Sequence, residues 1–345
     1  MCNIAGYVGS RPAAPILIEM MRRQEGWGGG YYTGIATLSE GRIHYAKLTG
    51  DLDRLCKHTD AASLPGNTGI LHSRSPSGGD DEWAHPFVGE RNGTVCTAYV
   101  ANGAQGCFSD RIDEICKAAV KLEDEGFVFR SKTNNAVGNY PRLSDGSCVH
   151  MSDVMAQLIT SKILCGSGAD EAMEASFCEM PGEIVGLLLA LNEPDAIAWS
   201  RINMPMFVGF APHGAYLATT PQAFPEDAGE PILLPACSGG RVYAENYTVK
   251  PYGRAPAAVA PILPETVAGA YRAITEAAGQ EACGFDKLSP VVHNLFRKAD
   301  CFPTNALIYA ILAELEKAGK LDVIAETVQG RVEGLTAPVF RGKLK

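Results

Sequence analysis

The 345-residue chain has no apolar run long enough to span a bilayer, which excludes a helical membrane protein. No basic segment followed by an apolar core and a cleavage site opens it, so no secretory signal is expected. Its 11 cysteines include no C-x-x-C pair, so neither a zinc site nor a disulfide framework is expected. Scattered thiols of this kind suit a cytoplasmic protein in which most are reduced and half-buried. Basic residues do not dominate: 30 Lys and Arg against 39 Asp and Glu give a net charge of -9, which argues against a general nucleic-acid binder. A Walker-type phosphate loop, internal repeats and low-complexity tracts are also missing. No metal and no cofactor is expected.

What remains is ordinary globular composition, 46% hydrophobic and 20% charged, at a length that suits one large domain plus a small one, or two comparable ones. Residues 2–9 read as a strand and 13–24 have helical spacing. "TGIATLSEGRIHYAKLTG" reads as a hairpin around Ser39-Glu40-Gly41, and "TGILHSR" and "TVCTAYVANG" as further strands. Helices are expected over 109–123, 151–165 and part of 170–178. Four short β-like runs follow, "EIVGLLLALN", "AIAWSR", "MFVGFAP" and "GAYLATT". "CSGGRVYAEN" reads as a turn between strands. Strands in two groups with helices around them indicate an α+β layered fold.

Near residues 250–264 the Pro- and Ala-rich stretch "KPYGRAPAAVAPILPET" reads as a semi-stiff connection. Helical periodicity resumes at about 265–278, 288–298 and 304–318, and the tail fits a hairpin through Gln329-Gly330. Three helices and a hairpin would suit a winged-helix module, though a purely structural appendage is the simpler expectation.

Four pieces stand in a suggestive order: "MCNIAGYVG", "GILHSRSPSGG" with "WAHPF", "YVANGAQG" and "MSDVMAQLI". Singly each is ordinary. An Asn-Gly is most often a turn, and Ser-Asp before an apolar periodic run is most often a helix cap. In this order they resemble the glutaminase domain of class II glutamine amidotransferases, the N-terminal-nucleophile (Ntn) hydrolases. "YYTGIAT" and "SRINMPMFVGFAPHGAYLATTPQAF" extend the likeness to about residues 2–245.

The resemblance implies a four-layer αββα Ntn sandwich over 1–248, followed by a small, mainly helical module at 265–345. It implies that Cys2, freed by removal of Met1, is the nucleophile, with its α-amine, of ordinary pKa about 7.7–8.0, as the base. Asn102 and the Gly103 N–H would form the oxyanion hole. Arg74 would hold the substrate α-carboxylate, Asp153 its α-ammonium, and Ser75 and Ser77 would add hydrogen bonds, while His85 would shape the loop. The implied activity is hydrolysis of glutamine to glutamate and ammonia. No acceptor-transforming domain is visible, which implies a separate synthase subunit; no membrane partner is expected, and a homo-oligomer is compatible with the sequence.

The chain departs from the family pattern at four places. Asn3 stands where glycine is usual, Gly28-Gly29-Gly30 where an Arg-Gly is usual, Ser75 where an aromatic is usual, and Ala101 where histidine is usual. These departures keep two alternatives open: a catalytically idle glutamine sensor, and an Ntn hydrolase of another amide.

Overall fold

A computed structural model describes residues 2–76, 78–136, 138–296 and 299–345. In chain order the first half contains β1 (Asn3–Gly9), α1 (Ala13–Arg22), β2 (Tyr32–Ser39), β3 (Arg42–Thr49), α2 (Leu52–His58), β4 (Thr68–Arg74), β5 (Phe87–Arg91), β6 (Thr94–Ala104) and α3 (Ile112–Asp124). Helices α4 (Met151–Leu164) and α5 (Ala169–Glu179) lead into β7 (Glu183–Ala190), β8 (Ile197–Arg201), β9 (Phe207–Ala211), β10 (Gly214–Ala218), β11 (Ile232–Leu233), β12 (Ser238–Val242) and β13 (Lys250–Pro251). The chain closes with α6 (Pro264–Gln280), α7 (Phe285–His293), α8 (Thr304–Lys317), β14 (Leu321–Gln329) and β15 (Thr336–Leu344).

Two sheets carry the fold, one of seven strands in the order β11-β9-β10-β1-β4-β2-β3 and one of six in the order β13-β12-β8-β7-β6-β5. Their facing sides bury one apolar layer that includes Ile4, Ile70, Val100, Leu187, Trp199 and Val208. Helices α3, α4 and α5 cover the outer face of the six-stranded sheet. Helices α1 and α2 cover the outer face of the seven-stranded sheet. The result is the αββα sandwich, and all ladders among these strands are antiparallel.

The β2–β3 turn shows why the pattern was readable. Glu40 and Gly41 both take positive φ, 48° and 68°, the primed turn that matches strand twist. "CSGGRVYAEN" is a correction, since Ser238–Val242 is a strand paired with β8 rather than a turn. A Cβ on Gly240 would lie 2.0 Å from the Thr248 carbonyl oxygen, so the strand's return segment packs there only against glycine. Helix α7 also begins earlier than its periodicity suggested, at Phe285, and Pro290 lies inside it.

The C-terminal segment has no core of its own. Ala270, Ile274, Leu288, Ile308 and Leu312 share one apolar cluster with Ala5, Tyr7 and Leu17 of β1 and α1. The segment consists of helices α6–α8 and the hairpin β14–β15, with a bridge between Cys283 and Gly342. Helix α8 is buried at Thr304, Leu307, Ile308, Tyr309, Ile311 and Leu312, so it is packed into the sandwich rather than presented to a groove.

Two of the sequence departures face this docked segment. Asn3 lies on the side of β1 opposite Cys2, toward Tyr309 of α8, a phenol whose pKa burial pushes well up. The glycine-rich run seats the hairpin: a Cβ on Gly26 would lie 2.3 Å from the Phe340 ring, and Gly30, with φ of 93°, lies under Pro338. Trp27 then packs edge-on against both Phe340 and Phe285. A larger residue at Gly26 or Gly30 would push the hairpin away.

Candidate active site

Strand β1 starts beside β4, and the pairing of Ile4 with His72 turns Cys2, His72 and Arg74 to one face. The Cys2 thiol sits within reach of Ser75, 3.6 Å from its Oγ and 3.4 Å from its backbone N–H. Burial pushes this thiol up, but the His72 imidazole, then the charge of the chain's amino terminus and the Ser75 N–H, more than reverse it, to about 6. A thiol of that kind is largely ionised at neutral pH.

Strand β6 brings Asn102 to the same end. Its Oδ1 accepts the Cys2 N–H at 3.2 Å, and its Nδ2 donates to the Cys2 carbonyl at 2.7 Å. One Nδ2 hydrogen is left over from that clamp. Gly103 has φ of 131°, and a Cβ there would lie 2.0 Å from the Glu183 carbonyl oxygen, so only glycine fits.

Arg74 is buried, and its Nη1 donates to the carbonyls of Gly78 and Trp83, both at 3.1 Å. Its guanidinium lies over the Tyr32 ring at 4.9 Å, while Nη2 is buried with no hydrogen-bond partner among the described residues. A buried donor without an acceptor is costly, and a substrate carboxylate would satisfy it. His85 packs against His72, ring centroids 4.0 Å apart, and burial first, then its cationic neighbours, hold it well below its ordinary pKa. A neutral His85 shapes the wall. His150 is held neutral for the same leading reason, and its Nδ1 accepts the Ser152 N–H as the cap of α4.

These groups open on a cavity of about 850 Å³ lined by Cys2, Arg74, Ser75, His85 and Gly103 on one side. Its floor is largely apolar, with Ile115, Met151, Met155, Met180 and Ile184. Among the described residues no Asp or Glu lines it. Asp153 stands behind: its Oδ2 accepts the N–H and hydroxyl of Ser131, at 3.0 and 2.7 Å, and its Oδ1 accepts from Gln157 at 2.9 Å. Burial pushes its carboxyl up. The expected ammonium ligand thus anchors Ser131 and α4 instead of facing the cavity. The structure brings Cys2, Arg74, Ser75, His85 and Asn102-Gly103 together, sets Asp153 apart, and Ser77 lies outside the described residues.

Two groups were not among the expected site residues. For His72 the sequence left a structural role and a functional one evenly balanced; it is buried on β4, two residues before Arg74 on the same face, and draws the Cys2 thiol down. Arg331 and Val332, at the tip of the C-terminal hairpin, line the cavity from across the fold. Nothing in their local sequence could have announced that.

No family model matches this chain. It is 27% identical over 252 residues to the glutamine–fructose-6-phosphate aminotransferase (isomerizing) of Pyrococcus horikoshii, covering 72% of this chain and 38% of that protein. It is 30% identical over 213 residues to the enzyme of the same name from Gluconobacter oxydans, covering 61% and 30%. The chain therefore spans less than two fifths of the length of these relatives. In fold it is similar to the glutamine phosphoribosylpyrophosphate amidotransferase of B. subtilis, with a TM-score of 0.59 at 15% identity, covering 81% of this chain and 58% of that one.

Proposed function

We propose, from the premise that this chain carries a class II glutamine amidotransferase domain of the Ntn type, that it hydrolyses the side-chain amide of glutamine through Cys2. The observation that carries the reading is the Cys2 thiol, drawn to about 6, at the head of a cavity that also holds the uncommitted Nη2 of Arg74.

The chemistry follows from those positions. The glutamine α-carboxylate takes the free Arg74 donor, which aims the side-chain amide at Cys2. The Cys2 sulfur attacks the amide carbon, and negative charge moves to the carbonyl oxygen, where the spare Asn102 hydrogen and the Gly103 N–H stabilise it. As the adduct collapses, the Cys2 α-ammonium, free once Met1 has been removed, gives one proton to the departing nitrogen; the C–N bond breaks and ammonia leaves, with the γ-glutamyl group held on sulfur as a thioester. Water then attacks the γ-glutamyl thioester, releasing glutamate and restoring the thiol. The same Cys2 nitrogen is the one that Asn102 Oδ1 already holds. With no carboxylate in the cavity, the substrate ammonium is left to neutral acceptors such as Ser152 and Asn139.

Ammonia then passes to a synthase on a separate subunit, in the cytoplasm. Acid quenching during turnover tests the covalent step. Intact-mass measurement should find the chain without Met1 and with one γ-glutamyl group on Cys2, and none on Cys2→Ala. Turnover by a chain that keeps Met1 would rule out the α-amine as the base.

A further inference from the structure

Outside the Cys2 site, two thiols and a carboxylate meet from three distant parts of the chain. Cys107 follows the Gly103 loop, Glu183 opens β7, and Cys301 precedes α8. The Cys107 and Cys301 sulfurs are 3.1 Å apart, and a ligand atom from each of the three residues lies within 4.8 Å of the other two. We propose that Cys107, Cys301 and Glu183 bind one zinc ion, with a water completing the tetrahedron on the side where Cys107 is exposed.

Four observations support a metal over a mere contact. Glu183 is already aimed: its Oε1 accepts the Cys107 N–H at 3.0 Å and its Oε2 accepts from Asn203 at 2.9 Å, which leaves the other lone pairs for a metal. Among the described residues no Lys, Arg or His pairs with Glu183 within salt-bridge distance. Cys301 is fixed by its backbone, donating to the Ala258 carbonyl and accepting from Ala260. Zinc–sulfur bonds of about 2.3 Å place two tetrahedral sulfurs roughly 3.8 Å apart. The observed 3.1 Å is nearer to that than to the ~2.05 Å of a disulfide. Binding would release both thiol protons to solvent.

The site would join the cavity rim to the C-terminal segment, since Ala104, Gln105, Gly106 and Gly182 line the cavity next to two of the ligands. Sequence spacing hides it, because the two cysteines are 194 residues apart.

The test uses the full chain, reduced, stripped with a chelator and titrated with Co(II), then with Zn(II). One equivalent of Co(II) should give a thiolate-to-cobalt charge-transfer band and tetrahedral d–d bands, and Zn(II) should bleach them. Cys107→Ser and Cys301→Ser should each lose the charge-transfer intensity, and Cys2→Ser should keep it. Cys107 is exposed, so Cys107→Ser should retain the cooperative melt of the parent, and it decides the matter if Cys301→Ser misfolds. No cobalt uptake, equal uptake by Cys107→Ser, or a Cys107–Cys301 disulfide in place of metal in freshly isolated protein would overturn the proposal. Glutamine turnover does not enter the readout, so this result stands apart from the fate of the Cys2 reading.

Discussion

Asn102 holds Cys2 at both ends of its amide, accepting from the Cys2 nitrogen at 3.2 Å and donating to the Cys2 carbonyl at 2.7 Å. The residue that is to stabilise the oxyanion is thereby also the one that positions the nucleophile. Asn102→Ala should lower kcat for glutamine hydrolysis by about 10²–10³, with little change in KM, because Arg74 still holds the carboxylate. Steady-state kinetics measures both. A rise in KM with unchanged kcat would place Asn102 outside the chemistry.

The thiol gives a pH prediction with a definite sign. Cys2 is drawn to about 6 against the opposing effect of burial, so the reactive thiolate disappears as pH falls through that value. kcat/KM should therefore lose about tenfold per pH unit below 6. His72→Asn removes the imidazole responsible and should move that acidic limb toward the ordinary thiol value of about 8.5. An unmoved limb would mean that His72 does not set the thiol.

Glu25 offers a stability prediction. It is buried, and burial first, with Asp51, pushes its carboxyl up to about 7, although Ser73 Oγ at 2.6 Å and the Leu52 N–H at 2.9 Å pull the other way. A carboxyl raised in the fold favours the protonated form. Its contribution is complete below about 4.5 and is lost as pH rises through about 7. The wild type should lose about 3 kcal/mol across that window from this group, and Glu25→Gln should flatten that slope. Denaturant melts at several pH values measure it.

The hairpin prediction separates two roles. Arg331→Ala alters the cavity wall without touching the core, so KM for glutamine should shift while Tm stays within a degree or two. Phe340→Ala empties the space beside Trp27 and over Gly26, so it should cost about 1–3 kcal/mol and shift KM as well. Equal Tm losses in both variants would contradict this division.

The elements themselves were largely legible, because the short apolar run in "TGILHSR" and the Glu40-Gly41 turn are local signals that the packing does not override. The grouping of Cys2, Arg74 and Asn102-Gly103 was legible through family order alone. What the sequence did not show was hidden for physical reasons. Asp153 begins the right helix, but the α4 register turns it to Ser131 and Gln157, while Met151 and Ser152 face the cavity. Asn3 and the glycine run read as blemishes in an active site; both are contacts of the docked C-terminal segment, and long-range packing of that kind leaves no periodic trace.

The most direct test of the account is ammonia release from glutamine by the full chain, wild type against Cys2→Ala, with the N-terminal residue of each preparation determined. The account predicts release by wild type that begins at Cys2, and loss of at least about 10³-fold in the variant. Glutamine binding without ammonia release by a wild-type chain that begins at Cys2, or equal release by Cys2→Ala, would contradict it.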